Sequence, residues 1–169
     1  MARPDLLLVP PFFHNYINQV HGDDLMTAFK TESDVLLKFI ESIPGSKYDY
    51  RYAPGKWTIK EVLQHIIDAE RIFDYRALRF ARKDATPLAG FDENMYADNS
   101  KAAGRDWNEL VEEFKVVRKA SEYMFGSFDE EQLQSTGVSS NKSITVIGLG
   151  YIVLGHPLHH KNIIQERYL

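Results

Sequence analysis

The spacing of apolar residues along the chain predicts four helical segments. From about residue 23 to residue 43, apolar residues recur at intervals of three and four, which is the period of one helix face. The same period runs from residue 58 to about residue 81, and Thr58-Ile59-Lys60-Glu61 has the form of a capping box that begins a helix. A third apolar face runs from near residue 106 to residue 126. These three segments predict amphipathic helices.

The fourth segment, residues 143–154, is rich in β-branched residues, so its local pattern also fits a buried strand. We interpret it as a helix because helical spacing continues to the end of the segment that follows, through Leu149, Ile152, His156, His160 and Ile163. Pro157 lacks an amide hydrogen and crowds the carbonyl of Val153, so a kink or a helix restart is expected there.

The segments outside these helices differ in character. Residues 82–105 form a long connection with few apolar repeats, and a connection of this length inside a compact domain is often functional. Residues before Asp23 include Pro4, Pro10 and Pro11, which predicts an extended N-terminal arm packed on the helices. We therefore predict one all-α domain over residues 1–169.

The amino-acid composition argues against several classes of function. The net charge is −4 and no basic run is present, which argues against nucleic acid as a partner. No apolar run is long enough to cross a bilayer, and residues 1–11 lack the pattern of a signal peptide, so we expect a cytoplasmic protein without a membrane partner. There is no cysteine, so any thiol chemistry must use a thiol supplied from outside.

Three of the six histidines form a candidate metal site. His156 and His160 are four residues apart, so they share one helix face, and His65 lies on the apolar face of another predicted helix. Three imidazoles from two neighbouring helices can hold one divalent ion and leave coordination positions open, as catalytic sites do. A histidine on an apolar face can also be a hydrogen-bonded core residue. His159 lies about 100° around the helix from its neighbours and is placed outside the site.

The ordered motifs resemble the DinB-like family. Trp57-Thr58-Ile59-Lys60-Glu61-Val62-Leu63-Gln64-His65 is similar to the W-[ST]-x-x-E-x-x-x-H opening of that family's second helix. Pro87-Leu88-Ala89-Gly90-Phe91-Asp92-Glu93 resembles the loop that follows in one branch, and Gly155-His156-Pro157-Leu158-His159-His160 resembles the closing G-H-x-x-H-H signature. The resemblance implies a four-helix bundle with one long crossover. It also implies a metal site at His65, His156 and His160 that holds zinc or nickel.

The resemblance also implies an activity. Members of the wider family transfer low-molecular-weight thiols to electrophiles, and some related proteins are hydrolases or isomerases. A dication deprotonates a coordinated thiol, and three neutral imidazoles leave the centre with its full charge. The resemblance therefore implies a metal-dependent enzyme whose partners are a small thiol and an electrophilic small molecule. Because imidazoles must be neutral to coordinate, metal affinity is expected to fall as the pH drops toward about 6.

Two other functions remain open. The first is a hydrolase in which metal-activated water attacks the substrate, with Asp68, Asp92 or Glu93 as general base and Arg76 receiving an acidic group. The same residues can equally be surface charges, caps and salt-bridge partners. The second is a binding or structural protein whose metal pins two helices together and which forms a homodimer through apolar helix faces. An accessible pocket beside the metal would favour an enzyme.

The segment 87–96 offers one more prediction. It leaves the far end of the His65 helix and contains Phe91, Asp92, Glu93 and Tyr96, a mixture of apolar and polar groups. We expect it to close over the open side of the metal, where it would exclude water. The alternative is that it only anchors the crossover to the bundle.

Overall fold

The computed structural model describes residues 3–169. In chain order the helices and strands are α1 His14–Gln19, α2 Leu25–Ser42, α3 Ile59–Ala81, α4 Glu93–Asn99, α5 Trp107–Gly126, α6 Glu130–Gln134, β1 Thr136–Ser139, β2 Lys142–Thr145 and α7 Val146–Arg167. Short 3₁₀ turns lie at Leu6–Leu8, Pro11–Phe13, Gly45–Lys47 and Ala102–Gly104. No helix in this part of the chain has both the length and the apolar character that crossing a bilayer requires.

The four long helices α2, α3, α5 and α7 form a bundle around one apolar core. Helix α3 packs against α5 and α7, and α2 packs against the same two helices. The long crossover joins α3 to α5 and contains α4. The prediction of an all-α four-helix bundle is therefore confirmed.

The capping box predicted at the start of α3 is present. The Thr58 side chain accepts a hydrogen bond from the Glu61 amide, 3.2 Å away, and the Glu61 carboxylate accepts one from the Thr58 amide, 2.6 Å away. Two amides that the first helical turn would leave without partners are thus satisfied. This cap fixes where α3 begins, and hence which of its residues face the core.

Two substitutions test this placement of α3. Thr58→Ala removes the cap and is expected to lower the free energy of unfolding by about 1 kcal/mol. Ile66→Ala empties a core position that is buried in the folded chain, and should cost about 2–5 kcal/mol. Urea titration followed by circular dichroism measures both losses. Equal and negligible losses would contradict the placement.

Helix α7 is the central helix of the bundle. All residues from Val146 to Leu158 are buried, so this stretch is apolar on every side and shows no amphipathic period. The prediction of helix for residues 143–154 was wrong for its first three residues, because Lys142–Thr145 pairs with Thr136–Ser139 as an antiparallel hairpin. Ser140 and Asn141 form its turn with positive φ angles of 51° and 61°, as a tight two-residue hairpin requires.

Pro157 does not interrupt α7, which runs continuously from Val146 to Arg167, so the expected restart does not occur. The proline has no amide hydrogen to donate to the carbonyl of Val153. The side chain of Arg118 in α5 supplies the missing donor, with its Nη2 3.1 Å from Val153 O. A hydrogen bond between helices therefore replaces one within the helix.

The N-terminal arm is helical over much of its length, which corrects the prediction of an extended arm. Pro11 begins a 3₁₀ turn that continues into α1, and α1 packs against α7. Proline is suited to the first position of a helical turn, where no amide donor is needed. The prolines of this arm are therefore compatible with helical turns, and it was wrong to take them as signs of an extended chain. The His14 ring ties the turns together by donating to the Leu6 and Val9 carbonyls, at 3.0 and 2.9 Å.

A buried network of charged and polar groups joins α3 to α5. Arg118 Nη2 lies 2.8 Å from Glu70 Oε2, and both side chains are almost fully buried. The Ser121 hydroxyl lies 2.6 Å from Glu70 Oε1 and 2.7 Å from Asp74 Oδ2. One hydroxyl proton cannot serve two carboxylates, so the geometry fits a protonated Asp74 that donates to Ser121, which donates to Glu70. Burial, and then the charge of Glu70, raise the pKa of Asp74 to about 7.

The raised pKa of Asp74 makes stability depend on pH. The folded state holds a proton on this carboxyl that the unfolded state releases above its ordinary value of 3.8, so stability should fall as the pH rises from about 4 to about 7. Asp74→Asn should remove this slope and raise the free energy of unfolding at pH 8 by about 1–2 kcal/mol. Denaturant titrations at several pH values measure it, with Asp98→Asn on exposed α4 as the control. A slope unchanged in Asp74→Asn would refute the protonated carboxyl.

Candidate metal centre

The three predicted histidines come together between α3 and α7. His65 lies on the inner face of α3, and His156 and His160 lie one turn apart on α7. The Nε2 atom of His156 is 3.0 Å from Nε2 of His65 and 3.0 Å from Nε2 of His160. One potential ligand atom from each ring lies within 4.8 Å of the others.

The donor set fits a shared metal ion. A neutral imidazole nitrogen offers either one lone pair or one proton, so His156 Nε2 cannot form two good hydrogen bonds to the other two rings. Two nitrogens that bind one ion at about 2.1 Å lie about 3.0–3.4 Å apart at ordinary coordination angles, which matches the two separations. Three converging nitrogen atoms with no carboxylate between them suit zinc, nickel and similar borderline dications.

The protein keeps these rings neutral. The side chains of His65 and His156 are buried, with 9% and 5% of their surface exposed. Burial lowers the pKa of His65 to about 4, and burial together with His65 and His159 lowers that of His160 to about 3. Burial and the neighbouring histidines place the pKa of His156 well below 6.5. We therefore expect protons to compete with a metal at a lower pH than the value of about 6 predicted for ordinary imidazoles.

Aromatic rings and a glycine set the walls of the centre. The Trp57 ring lies 4.8 Å from that of His65, and the rings of Phe73 and Tyr16 lie 5.9 and 5.5 Å from that of His156. Gly155 lets α1 approach α7, because a Cβ atom at this position would collide with the carbonyl oxygen of Tyr16. The glycine before His156 thus brings Tyr16 to the histidines.

An open cavity of about 210 Å³ lies beside His160. Its walls combine aromatic rings with one lysine and one asparagine, and they include Tyr52, Lys56, Trp57, Asn94 and Tyr168. The hydroxyl of Tyr168 donates to the Trp57 carbonyl at 2.8 Å, which fixes two of these walls against each other. A small molecule in this cavity would lie next to His160.

Residues 28–164 match the family model of the DinB superfamily, a range that contains all three histidines. The chain belongs to the DinB superfamily. Among solved structures it is similar to YfiT from Bacillus subtilis, described as a probable metal-dependent hydrolase with an unusual four-helix bundle topology. The TM-score is 0.72 at 15% identity, over 98% of this chain and 90% of that one, so the likeness shows a shared fold. No curated protein matches the chain.

Within residues 3–169, the other predicted site residues of this DinB-superfamily protein do not line the cavity beside His160. Arg76 is buried and donates to the Ala89 carbonyl at 3.0 Å, so it anchors the crossover. Asp92 accepts hydrogen bonds from two amides at the start of α4 and caps that helix, and Glu93 is exposed in its first turn. Asp68 accepts from Gln64 Nε2 at 2.9 Å. Catalytic roles for Arg76, Asp92 and Glu93 stay predictions.

The segment 87–96 contacts both the β1–β2 hairpin and the cavity beside His160. Its Asn94 forms part of the cavity wall together with His160, whereas Leu88 is tied to the hairpin by a hydrogen bond from its amide to Val138 O at 2.9 Å. The segment thus contains both an anchor and a contact with the cavity, and its closure over a metal stays a prediction. Sequence reasoning missed Asn94 and Tyr16, because neither lies in an apolar period or in a recognised motif.

Proposed function

We propose that this protein is a metal-dependent enzyme that transfers a small thiol to an electrophilic small molecule, with zinc or nickel at His65, His156 and His160. The observation that carries the proposal is the set of three neutral imidazoles without an acidic partner, beside an open cavity. A dication held by them would keep its full positive charge and would lower the pKa of a coordinated thiol so that it can attack.

Among the described residues no carboxylate joins the converging nitrogens of the three histidines, which favours thiol transfer over attack by water. Burial alone accounts for the lowered pKa of His65, and burial with two histidines accounts for that of His160. Among the described residues no carboxylate contributes to either shift. A dication would lower the pKa of bound water only to about 7, so a hydrolase would still gain from a base that takes its proton, whereas a coordinated thiol would release its proton to solvent before it attacks.

The residues of the cavity have defined tasks in this proposal. Trp57, Tyr52 and Tyr168 would pack against the apolar part of a substrate, and the Lys56 ammonium would attract a negatively charged group. Asn94 would donate or accept one hydrogen bond and so orient the electrophile. Because the side chains of His65 and His156 are buried, water has little access to their rings.

A metal-dependent hydrolase is the second candidate. YfiT is described in these terms, and one local feature here favours it. Burial, and then the charge of Glu93, raise the pKa of Tyr16, whose ring packs on His156. A raised pKa keeps the Tyr16 hydroxyl protonated, so that in a hydrolase it would be able to donate a proton to a leaving group at the edge of the centre.

Activity assays separate the candidates. The metal-loaded protein is incubated with a panel of small thiols and electrophiles, and separately with ester and amide substrates without thiol. We expect thiol conjugates whose formation stops in His160→Ala and on chelation, and returns when zinc or nickel is added. Asn94→Ala should lower turnover, while Asn99→Ala on the same short helix, which lies outside the cavity, should not.

The other outcomes of these assays are equally informative. Metal-dependent hydrolysis without thiol would replace this proposal with the second candidate. Tight metal binding without either reaction would favour a structural metal that pins α3 to α7.

A further inference from the structure

We propose that the groove between α2 and α5 binds a small organic anion, a carboxylate or phosphate with a short hydrocarbon part. This groove is distinct from the cavity beside His160 and has a volume of about 320 Å³. Its lining includes Lys30, Ser33 and Leu37 from α2, and Phe114 and Arg118 from α5. The inference is independent of the chemistry proposed for the metal centre.

Two side chains of the groove carry buried donor atoms that lack partners among the described residues. Arg118 is 3% exposed, and its Nη2 serves both Glu70 and Val153, yet its Nε and Nη1 atoms have no hydrogen-bond partner within residues 3–169. The Ser33 hydroxyl on the facing helix is also buried and unpartnered within that range. Buried polar groups are normally hydrogen-bonded, so the unsatisfied donors of two side chains that line one groove would be satisfied by an acceptor that enters it.

The guanidinium of Arg118 is held in place independently of any ligand. Glu70 and the Val153 carbonyl fix one end, and the rings of Phe29 and Phe114 lie 5.7 and 5.5 Å from its central carbon. A guanidinium fixed in this way can receive an oxyanion without losing much conformational freedom. The groove thus has a preorganised donor at its base.

The charge around the groove favours an anion. Four basic side chains line it against two acidic ones, Asp34 and Glu122. Lys115 and Lys119 are engaged in exposed ion pairs with glutamates, whereas Lys30 forms no ion pair with any described residue. Leu37 and Phe114 add apolar surface, which suits a hydrocarbon chain attached to the charged group.

Ligand titration tests the proposal. Butyrate, inorganic phosphate, butylamine and butanol are titrated against the full chain, and binding is measured by calorimetry and by chemical shifts. Butyrate should bind, while the amine and the alcohol should not. Ser33→Ala should weaken binding about tenfold through loss of a charge-assisted hydrogen bond, and Lys30→Gln about threefold, with a larger effect at low salt. Lys38→Gln, an exposed lysine on α2 outside the groove, is the matched control and should change nothing.

Three results would overturn the proposal. The first is that neither butyrate nor phosphate binds, in which case water satisfies the buried donors. The second is binding that Ser33→Ala and Lys30→Gln leave unchanged. The third is binding that disappears in His160→Ala, which would place the anion at the metal centre. Thermal unfolding of each variant tests whether Ser33→Ala is folded. If Ser33→Ala is not folded, the surface variant Lys30→Gln still tests the groove.

Discussion

Replacing His65 or His160 with alanine should reduce the metal content of the purified protein from about one ion per chain to almost none. Each substitution removes one of three nitrogen ligands and leaves two imidazoles, which hold a dication far more weakly. Loss of a group that merely supports a ligand typically lowers metal affinity 10–100-fold, so loss of a ligand should lower it by more than about 100-fold. We expect this to be the largest effect of any single substitution outside the core.

The control for these variants is His159→Ala. His159 is next to His160 in sequence, and their rings lie 5.3 Å apart, but it supplies no atom to the converging group. Metal is measured by mass spectrometry after dialysis, and circular dichroism shows that each variant remains helical. If His159→Ala loses its metal while His65→Ala and His160→Ala retain theirs, the ligand assignment is wrong.

Gly155→Ala should be the most damaging conservative substitution in the helices of the bundle. Glycine to alanine inside a helix normally stabilises it by about 1 kcal/mol. Here the added Cβ would collide with the Tyr16 carbonyl, which is main chain and cannot move aside as a flexible side chain does. Helix α1 would have to leave α7, and we expect a loss of about 3 kcal/mol or more in the free energy of unfolding.

This substitution should also affect the metal centre. Tyr16 moves with α1, so water would gain access to His156 and metal affinity should fall together with stability. Gly104→Ala is the control, because a Cβ at Gly104 meets no atom within 4 Å. Urea unfolding with and without metal measures both effects. A Gly155→Ala variant as stable as the unsubstituted protein would show that α1 does not pack here in solution.

Parts of the centre could be predicted because their signals are local. The Thr58 cap and the apolar period that follows it place His65 on the inner face of α3, and the four-residue spacing places His156 beside His160. The pairing of the two helices is not a local feature; it was hypothesised from the histidines, and the family resemblance implied the same three ligands. Where short-range spacing and a recognised motif agreed, the structure brought the three residues together.

The features of the fold and the site that the sequence did not predict depend on contacts between segments far apart in sequence. The sequence places Arg76 on the same helix as His65. It does not indicate that the Ala89 carbonyl accepts a hydrogen bond from Arg76. Similarly, nothing near Pro157 in sequence reveals that Arg118 donates to Val153. A proline inside a helix normally leaves one carbonyl without its hydrogen bond. Here the replacement donor lies on α5, and the sequence pattern around Pro157 does not indicate it.

We expect this hydrogen bond from Arg118 to divide α7 into two parts that open differently. In an uninterrupted helix a carbonyl loses its hydrogen bond when the next turn frays, but Val153 keeps its bond until α5 and α7 separate. Fraying that starts near Arg167 can therefore reach Pro157 without releasing the turn before it. His160 lies after Pro157, in the part that the Tyr168–Trp57 hydrogen bond holds to the segment before α3, whereas His156 lies before Pro157. We therefore expect His65 and His156 to keep their relative positions when the last turns of α7 loosen, so that the geometry of a three-histidine metal site would depend on how firmly those turns are held.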